Sequence, residues 1–169
     1  FHQERVLELG SGIGLLGLCL SRLVGSGTVV LSDFGGDNDA GAGDRLVPAR
    51  LLENLRDNVA INGITNAEVR HIDWHDFLPD AVKQLQVEKF RRLVAADVVY
   101  YSSDVPALAS TIGAHLCPHG QAFVLVVRRT WTGSQAGERA SAEDLANALK
   151  PFGEVTVSEL LGYCCTFDE

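Results

Sequence analysis

Residues 6–18 read V-L-E-L-G-S-G-I-G-L-L-G-L, and this stretch decides the fold. An apolar run of strand type is followed by closely spaced glycines and then by a second apolar run. This order is typical of a buried strand that turns through a tight loop into a buried helix. In α/β proteins, a strand–loop–helix unit of this kind begins a binding site for a nucleotide-type cofactor.

The rest of the chain continues the alternation of strands and helices. Strands are predicted at 5–9, 28–33, 67–73, 90–100 and 121–127, and helices at 13–24, 48–62, 103–116 and 141–149. Two further strand-like runs, 154–161 and 163–167, are separated by Gly162 alone. Because strands that alternate with helices form parallel sheets covered on both faces, we expect one doubly wound α/β domain over residues 1–169.

Composition narrows the class of protein. The chain has 169 residues, 46% of them apolar and 21% charged, which is typical of one soluble globular domain. Its net charge of −8 argues against a nucleic-acid partner, since such partners need a basic surface, and no apolar run is long enough to cross a membrane. The four cysteines form no Cys-x-x-Cys pair, so we expect free thiols in a reducing compartment, the cytoplasm.

Two features of the sequence lie outside the predicted strands and helices. The chain has no methionine and begins with Phe1, so we expect a native N-terminal segment to be missing. Residues 34–45 form a Gly/Asp-rich loop whose spacing does not fit a calcium-binding EF-hand. We therefore interpret this loop as a solvated insertion and expect no metal site.

The glycines allow two interpretations of the cofactor. Gly12-x-Gly14-x-x-Gly17 matches the dinucleotide fingerprint, whereas Glu8-x-Gly10-x-Gly12 matches the first motif of S-adenosylmethionine (AdoMet) enzymes. Asp33 ends the second strand about 20 residues later and suits the ribose of either cofactor. In a dinucleotide site the first glycine directly follows the strand. Here that glycine is Gly10, and the segment that starts from it reads Gly10-x-Gly12-x-x-Leu15, which lacks the third glycine of the fingerprint. This mismatch favours AdoMet.

Four segments together resemble a known family. They are V-L-E-L-G-S-G-I-G-L-L-G, L-S-D, L-L-E-N-L-R-D-N-V-A-I-N, and the pair H-I-D-W with A-A-D-V-V-Y. The chain resembles class I AdoMet-dependent methyltransferases and, among them, the protein-lysine methyltransferases of methyltransferase family 16. The resemblance implies a Rossmann-like, mostly parallel seven-stranded sheet with a C-terminal antiparallel hairpin. The loop at 34–45 is longer than the family pattern leads us to expect, and we expect the family's segment before the first strand to be missing from this sequence.

The resemblance also implies roles for individual residues. The residues that it assigns to cofactor binding are Glu8, Gly10, Gly12, Asp33, Asp73, Trp74 and Ala96. Gly10 and Gly12 would let the backbone approach the methionine part, Glu8 would orient its ammonium group, and Asp33 would hold the ribose. Asp73 would accept from the adenine amino group, with Trp74 beside the ring, although a tryptophan at this position also suits a packed core.

The same resemblance places the reaction after the fourth strand. Asp97 and Tyr100 are the implied catalytic residues, Asp97 by aligning a lysine amine and Tyr100 by lining its channel. A strand-ending carboxylate and a buried tyrosine are the structural alternative. Arg128 and Arg129 end the fifth strand and are candidates for the substrate entrance.

The resulting expectation is an AdoMet-dependent N-methyltransferase that modifies a lysine of a protein, such as a translation factor or chaperone. Two alternatives from other classes stay open. One is a different enzyme, either a small-molecule N-methyltransferase or a nicotinamide-dependent dehydrogenase. The other is a module that binds AdoMet or a partner without turnover.

Overall fold

A computed structural model describes residues 3–34, 48–78, 87–127 and 139–159 of the chain. Five strands alternate with helices along these residues. The strands are β1 (Arg5–Leu9), β2 (Thr28–Asp33), β3 (Ala67–His71), β4 (Phe90–Ala96) and β5 (Leu116–Leu125). The helices are α1 (Leu15–Leu23), α2 (Pro48–Ile61), α3 (Val105–His115) and α4 (Ala142–Leu149), with short 3₁₀ turns at Trp74–Phe77 and Lys150–Phe152.

The strands form one parallel sheet in the order β3-β2-β1-β4-β5. The chain runs outward from β1 to β3 and then crosses back to place β4 on the other side of β1. This topological switch between β1 and β4 opens a crevice at the carboxyl ends of the strands, where ligands of such sheets bind. The Rossmann-like parallel α/β fold that the sequence predicts is confirmed.

Apolar side chains bury both faces of the sheet. On one face, Leu7, Leu9 and Leu93 pack with the apolar side of α3 and with Leu145 of α4. On the other face, a second cluster joins residues of β1, β2 and β4 to Leu20 of α1 and Leu55 of α2. Helices therefore cover both faces of the sheet, and the loops at its carboxyl edge start from well-packed strands.

The local signals in the sequence are confirmed at several element ends. Pro48 is the first residue of α2. Ser141 and Asp144 form the capping box that begins α4, with each side chain accepting from the other's backbone amide.

Three predicted strands end earlier in the structure, and the last of them, β5, ends at Leu125 instead of residue 127. β3 ends at His71 because Asp73 already caps the following 3₁₀ turn. β4 ends at Ala96 because the next residue, Asp97, has a φ of 56°, which lies outside the strand conformation.

The fifth strand begins earlier than the sequence predicts. The C-P-H-G segment, residues 117–120, is predicted to separate α3 from the strand, but α3 ends at His115 and β5 starts at Leu116. Phe90 pairs with Leu116 and Arg92 pairs with Gln121, so residues 117–120 bulge from the strand. The turn signal in C-P-H-G therefore marks an irregularity inside the strand.

The C-terminal hairpin is not confirmed. Residues 154–159 form no strand, and residues 160–169 lie outside the described part of the chain. The sheet of the described residues therefore has five strands where the family resemblance implies seven.

Candidate functional site

The loop after β1 turns sharply at two glycines. Gly10 has a φ of 67° and Gly12 a φ of 55°, a left-handed conformation that only glycine adopts without strain. A Cβ atom on Gly10 would lie 2.5 Å from Cγ1 of Val98 and 3.5 Å from Cζ2 of Trp74. A Cβ on Gly12 would meet no atom within 4 Å. Gly10 thus permits a close internal contact, whereas Gly12 faces open space.

These contacts show that three segments meet at one place. Gly10 follows β1, Trp74 follows β3 and Val98 follows β4, so residues far apart in sequence converge at the carboxyl edge of the sheet. This is the crevice at the topological switch. The structure therefore brings the predicted Gly10, Trp74 and the Asp97 segment together.

Hydrogen bonds to neighbouring elements fix the path of the loop. The Gly12 amide donates to Oδ2 of Asp33 over 2.6 Å, and the Ser11 amide donates to the carbonyl of Ser32 over 2.9 Å. From α2, Nδ2 of Asn58 donates to the carbonyl of Ile13 over 2.9 Å. Sequence reasoning did not assign Asn58 a role, although it lies in one of the segments that carry the family resemblance.

The Asp33 carboxylate accepts hydrogen bonds from backbone amides of the protein, and it can also accept them from a ligand. Its Oδ1 accepts from the Phe34 amide over 2.7 Å, while Oδ2 accepts from Gly12. A carboxylate offers about four acceptor positions, so both oxygens retain capacity for further donors. Asp33 can therefore hold the glycine loop and accept from a ligand's hydroxyl groups at the same time.

Gly14 and Gly17 have a packing role. A Cβ on Gly14 would lie 2.5 Å from Cδ1 of Leu55, and one on Gly17 would overlap Oε2 of Glu8 and Leu31. Both glycines let α1 and α2 approach the sheet closely. The match to the dinucleotide fingerprint therefore has a structural explanation that requires no pyrophosphate.

Glu8 lies beneath α1. Its side chain is 3% exposed, and its Oε2 has no hydrogen-bond partner among the described residues. Burial raises the pKa of the Glu8 carboxyl above its ordinary value. The Ser11 hydroxyl and the Gly17 amide lower the pKa in part, and the negative charge of Asp33 raises it.

Asp73 and Trp74 follow β3 at the 3₁₀ turn. Oδ1 of Asp73 accepts from the His75 amide over 2.9 Å and lies 3.1 Å from Nδ1 of the same histidine. Trp74 packs partly against the core, and its carbonyl accepts from the Thr111 hydroxyl over 3.4 Å. Trp74 therefore packs partly in the core, which is the structural alternative considered from the sequence, and Cζ2 of its ring also lies near Gly10.

Asp97 follows Ala96 at the end of β4 in a strained conformation. Its φ of 56° is uncommon for a residue other than glycine, and such strain concentrates at functional sites. The Asp97 amide donates to the Leu125 carbonyl over 2.9 Å, which fixes the turn on β5. Tyr100 is 42% exposed, so it is not the buried tyrosine of the structural alternative.

The segment that follows Asp97 is also held by contacts with the residues that precede α4. The Ala140 amide donates to the Tyr100 carbonyl over 3.3 Å, and Tyr101 pairs with Arg139 in an isolated antiparallel bridge. The Arg139 guanidinium lies 4.4 Å from the centre of the Tyr101 ring, at cation–π distance. The sequence offered no signal for this pairing, which joins residues from two distant segments.

Some sequence-level candidates lie outside the described residues. Arg128 and Arg129 are among them, as is the Gly/Asp-rich loop at 34–45 except for Phe34. Within the described ranges, no group of three or more His, Cys, Asp or Glu side chains is arranged to hold a metal ion. None of the helices described is long and apolar enough to cross a membrane.

Comparison with known proteins decides the family. The profile of the family described as lysine methyltransferase matches residues 1–136, most of the chain. The chain belongs to this family. Human protein-lysine N-methyltransferase EEF2KMT is 28% identical over 124 residues, covering 66% of this chain and 33% of the relative. The mouse protein of the same name is 28% identical over 112 residues, covering 59% and 29%.

Solved structures agree with the family at the level of the fold. A TehB-like SAM-dependent methyltransferase from Corynebacterium glutamicum has a TM-score of 0.55 at 20% identity, covering 90% of this chain and 66% of that one. PKMT2 from Rickettsia typhi, in complex with S-adenosylhomocysteine (AdoHcy), has a TM-score of 0.53 at 20% identity, and the match covers 72% of this chain and 20% of that one. The chain spans about a third of the length of the curated relatives that it matches.

The burial of Glu8 predicts a gain in stability from Glu8→Gln. A carboxyl with a raised folded-state pKa contributes stability below its unfolded-state pKa and loses it as pH rises through the folded-state value. At neutral pH, burial of Glu8 costs free energy because its carboxyl must either take up a proton or stay charged, and Glu8→Gln removes that cost, so it should raise the free energy of unfolding by roughly 1–3 kcal/mol. Denaturant unfolding of both proteins at several pH values measures this difference. It should shrink as pH falls towards the ordinary carboxyl range, and a difference that grows with acidification would contradict the assignment.

Gly12 and Gly63 form a matched pair for testing whether the open space beside Gly12 holds a ligand. Both have a positive φ, 55° and 63°, and a Cβ added to either would meet no atom within 4 Å. Gly12→Ala and Gly63→Ala should therefore cost similar backbone strain, about 1 kcal/mol each. Only Gly12→Ala should weaken binding of AdoHcy, measured by calorimetric titration. Equal affinity of the two variants would show that the Gly12 side of the loop does not face a ligand.

Proposed function

We propose that this protein transfers a methyl group from AdoMet to a lysine side chain of another protein. The observation that carries the proposal is the convergence of the Gly10 loop, Trp74 and the segment after Asp97 at one crevice, in a chain of the lysine methyltransferase family. Protein-lysine N-methyltransferase is also the name of the human and mouse relatives. Because the chain spans about a third of those relatives, the activity of the whole protein is our inference.

The residues around the crevice fit AdoMet. Gly12 leaves open space beside the loop, Asp33 retains acceptor capacity for ribose hydroxyls, and Glu8 has an unpartnered carboxylate oxygen for an ammonium group. We assign the adenine to Asp73 and Trp74, and include Ala96 at the end of β4 in the same site. Two solved structures with the same fold are complexes with AdoHcy or SAH, which supports this choice of cofactor.

The cofactor, when bound, supplies a methyl group already activated on a sulfonium. The protein must then align the lysine amine and exclude water. A free lysine has a pKa of about 10.4, and the amine must be neutral to react. Asp97 favours the charged form, so its role is alignment, and the proton leaves to water. We assign Tyr100, whose side chain is exposed, to the wall of this path.

The acceptor that we propose is a lysine on a folded protein, in particular a translation factor or chaperone. The net charge of −8 suits a cationic group and disfavours a nucleic acid. We also propose that the protein acts in the cytoplasm and that its complete sheet has the seven strands of the family pattern, two of them in an antiparallel hairpin.

Two other functions make different predictions. A small-molecule N-methyltransferase would place its methyl group on a free amine. A binding module would hold AdoMet and methylate nothing. The strained conformation of Asp97, fixed to β5 beside the crevice, favours a reaction over simple binding.

The cofactor is tested by calorimetric titration with AdoHcy and with NAD. We expect binding of AdoHcy and far weaker binding of NAD. Asp33→Ala should lower AdoHcy affinity by at least about tenfold, since two ribose hydrogen bonds and the anchor of Gly12 are lost. Asp57→Ala, at an exposed position of α2, is the control and should bind normally. Tight NAD binding without AdoHcy binding would refute the assignment.

The acceptor role of Asp97 is tested by Asp97→Asn. Asparagine tolerates the left-handed conformation, so the substitution removes the charge and leaves the backbone intact. Transfer of labelled methyl groups to proteins of a cell extract should fall by about tenfold or more, while AdoHcy affinity stays within about twofold. Asp104→Asn, a few positions further along the chain, is the charge-matched control. A parallel loss of AdoHcy affinity would place Asp97 in the cofactor site instead, and label on small amines alone would exclude a protein substrate.

A further inference from the structure

Glu8 is a buried acid without a cation beside it. Its side chain is enclosed by α1, where the inward-facing residues are Gly17, Leu20 and Ser21, none of them ionisable. Val94 pairs with Glu8 from β4, and Leu31 pairs with it from β2. The surroundings are therefore largely apolar.

The polar groups that reach Glu8 do not neutralise it. The hydroxyl of Ser11 and the amide of Gly17 are uncharged, and the one ionisable group that acts on Glu8 in the described structure is the carboxylate of Asp33. Like charge and burial both oppose ionisation of the carboxyl. A charged Glu8 would thus be an uncompensated buried ion, which proteins avoid by holding a proton.

We propose that Glu8 holds a proton in the cofactor-free protein and releases it when the ammonium group of the cofactor binds. The inference rests on the proposed function, because AdoMet and AdoHcy carry that ammonium on their amino-acid part. The ammonium keeps its own protons and forms an ion pair with the new carboxylate. The O–H bond of the Glu8 carboxyl breaks, its electron pair stays on the oxygen, and the proton passes to the buffer.

This exchange links cofactor affinity to pH. Where Glu8 is protonated in the free protein, binding must also remove a proton, so acidification weakens binding by up to about tenfold per pH unit. At higher pH the cost disappears because Glu8 is already ionised. The amino-acid part of the ligand is what matters, and methylthioadenosine, which keeps the adenosine and lacks that part, should show no such linkage.

The test is calorimetric titration with AdoHcy between about pH 5.5 and pH 8, above the pI of about 5.0, in buffers of different ionisation enthalpy. We expect the wild-type protein to release up to about one proton on binding AdoHcy at the acid end of this range. Glu8→Gln should release none and should bind AdoHcy with little dependence on pH. Methylthioadenosine provides a second comparison that needs no variant, and the wild-type protein should bind it without proton release.

The outcomes separate the inference from the function on which it rests. AdoHcy binding with equal proton release in the wild-type protein and Glu8→Gln, or with none in either, would overturn the role of Glu8 and leave the cofactor assignment intact. Equal proton release with AdoHcy and methylthioadenosine would overturn it too. If AdoHcy fails to bind the wild-type protein at every pH, the proposed function falls and the inference falls with it.

Discussion

The hydrogen bond from the Gly12 amide to Asp33 joins the ends of the first two strands, and the geometry of the site depends on it. The bond forms because Gly10 and Gly12 take left-handed turns that direct the loop back over β2. Once the loop is fixed there, Gly10 lies close enough to contact Val98 and Trp74, and the crevice acquires its walls. A different loop path would separate these residues without changing the sheet.

The site also holds features that oppose stability. Glu8 buries a carboxyl with an unpartnered oxygen, and Asp97 adopts a strained backbone conformation. Both residues are flanked by well-packed strands, so the core supplies the stability that permits them. Their positions, at the ends of β1 and β4, lie on either side of the topological switch. Residues that lower the stability of the fold in this way are expected at a site that binds a ligand.

The sequence predicted the order of the elements because the periodicity of apolar residues depends on local structure. The bounds of β1 and β2 agree with it, as does the capping box of α4. It failed at β5, where C-P-H-G suggested a loop between helix and strand. The pairing of Phe90 and Arg92 with residues on either side of that segment draws it into the strand as a bulge. Such pairing is a tertiary effect that a local turn signal does not contain.

At the candidate site, too, local patterns in the sequence predicted some features, whereas contacts between distant segments could not be predicted. Glycine spacing and the carboxylate at the end of β2 were enough to propose the loop and Asp33. The sequence did not indicate that Asn58 would reach the loop from α2, or that Arg139 would lie over Tyr101. It also did not show that Gly17 would admit the Glu8 carboxyl beneath α1. These contacts depend on how far side chains reach across packed elements, which only the folded chain determines.

The central claim is that the crevice at the carboxyl edge of the sheet binds AdoMet. Amide resonances of the protein, followed by NMR during titration with AdoHcy, test this claim most directly. We expect shifts to concentrate at Gly10, Gly12, Asp33, Trp74 and Asp97, while Arg5 and Thr28, at the opposite edge where β1 and β2 begin, stay unchanged. Shifts confined to that opposite edge, or a glycine loop that responds to NAD and not to AdoHcy, would contradict it.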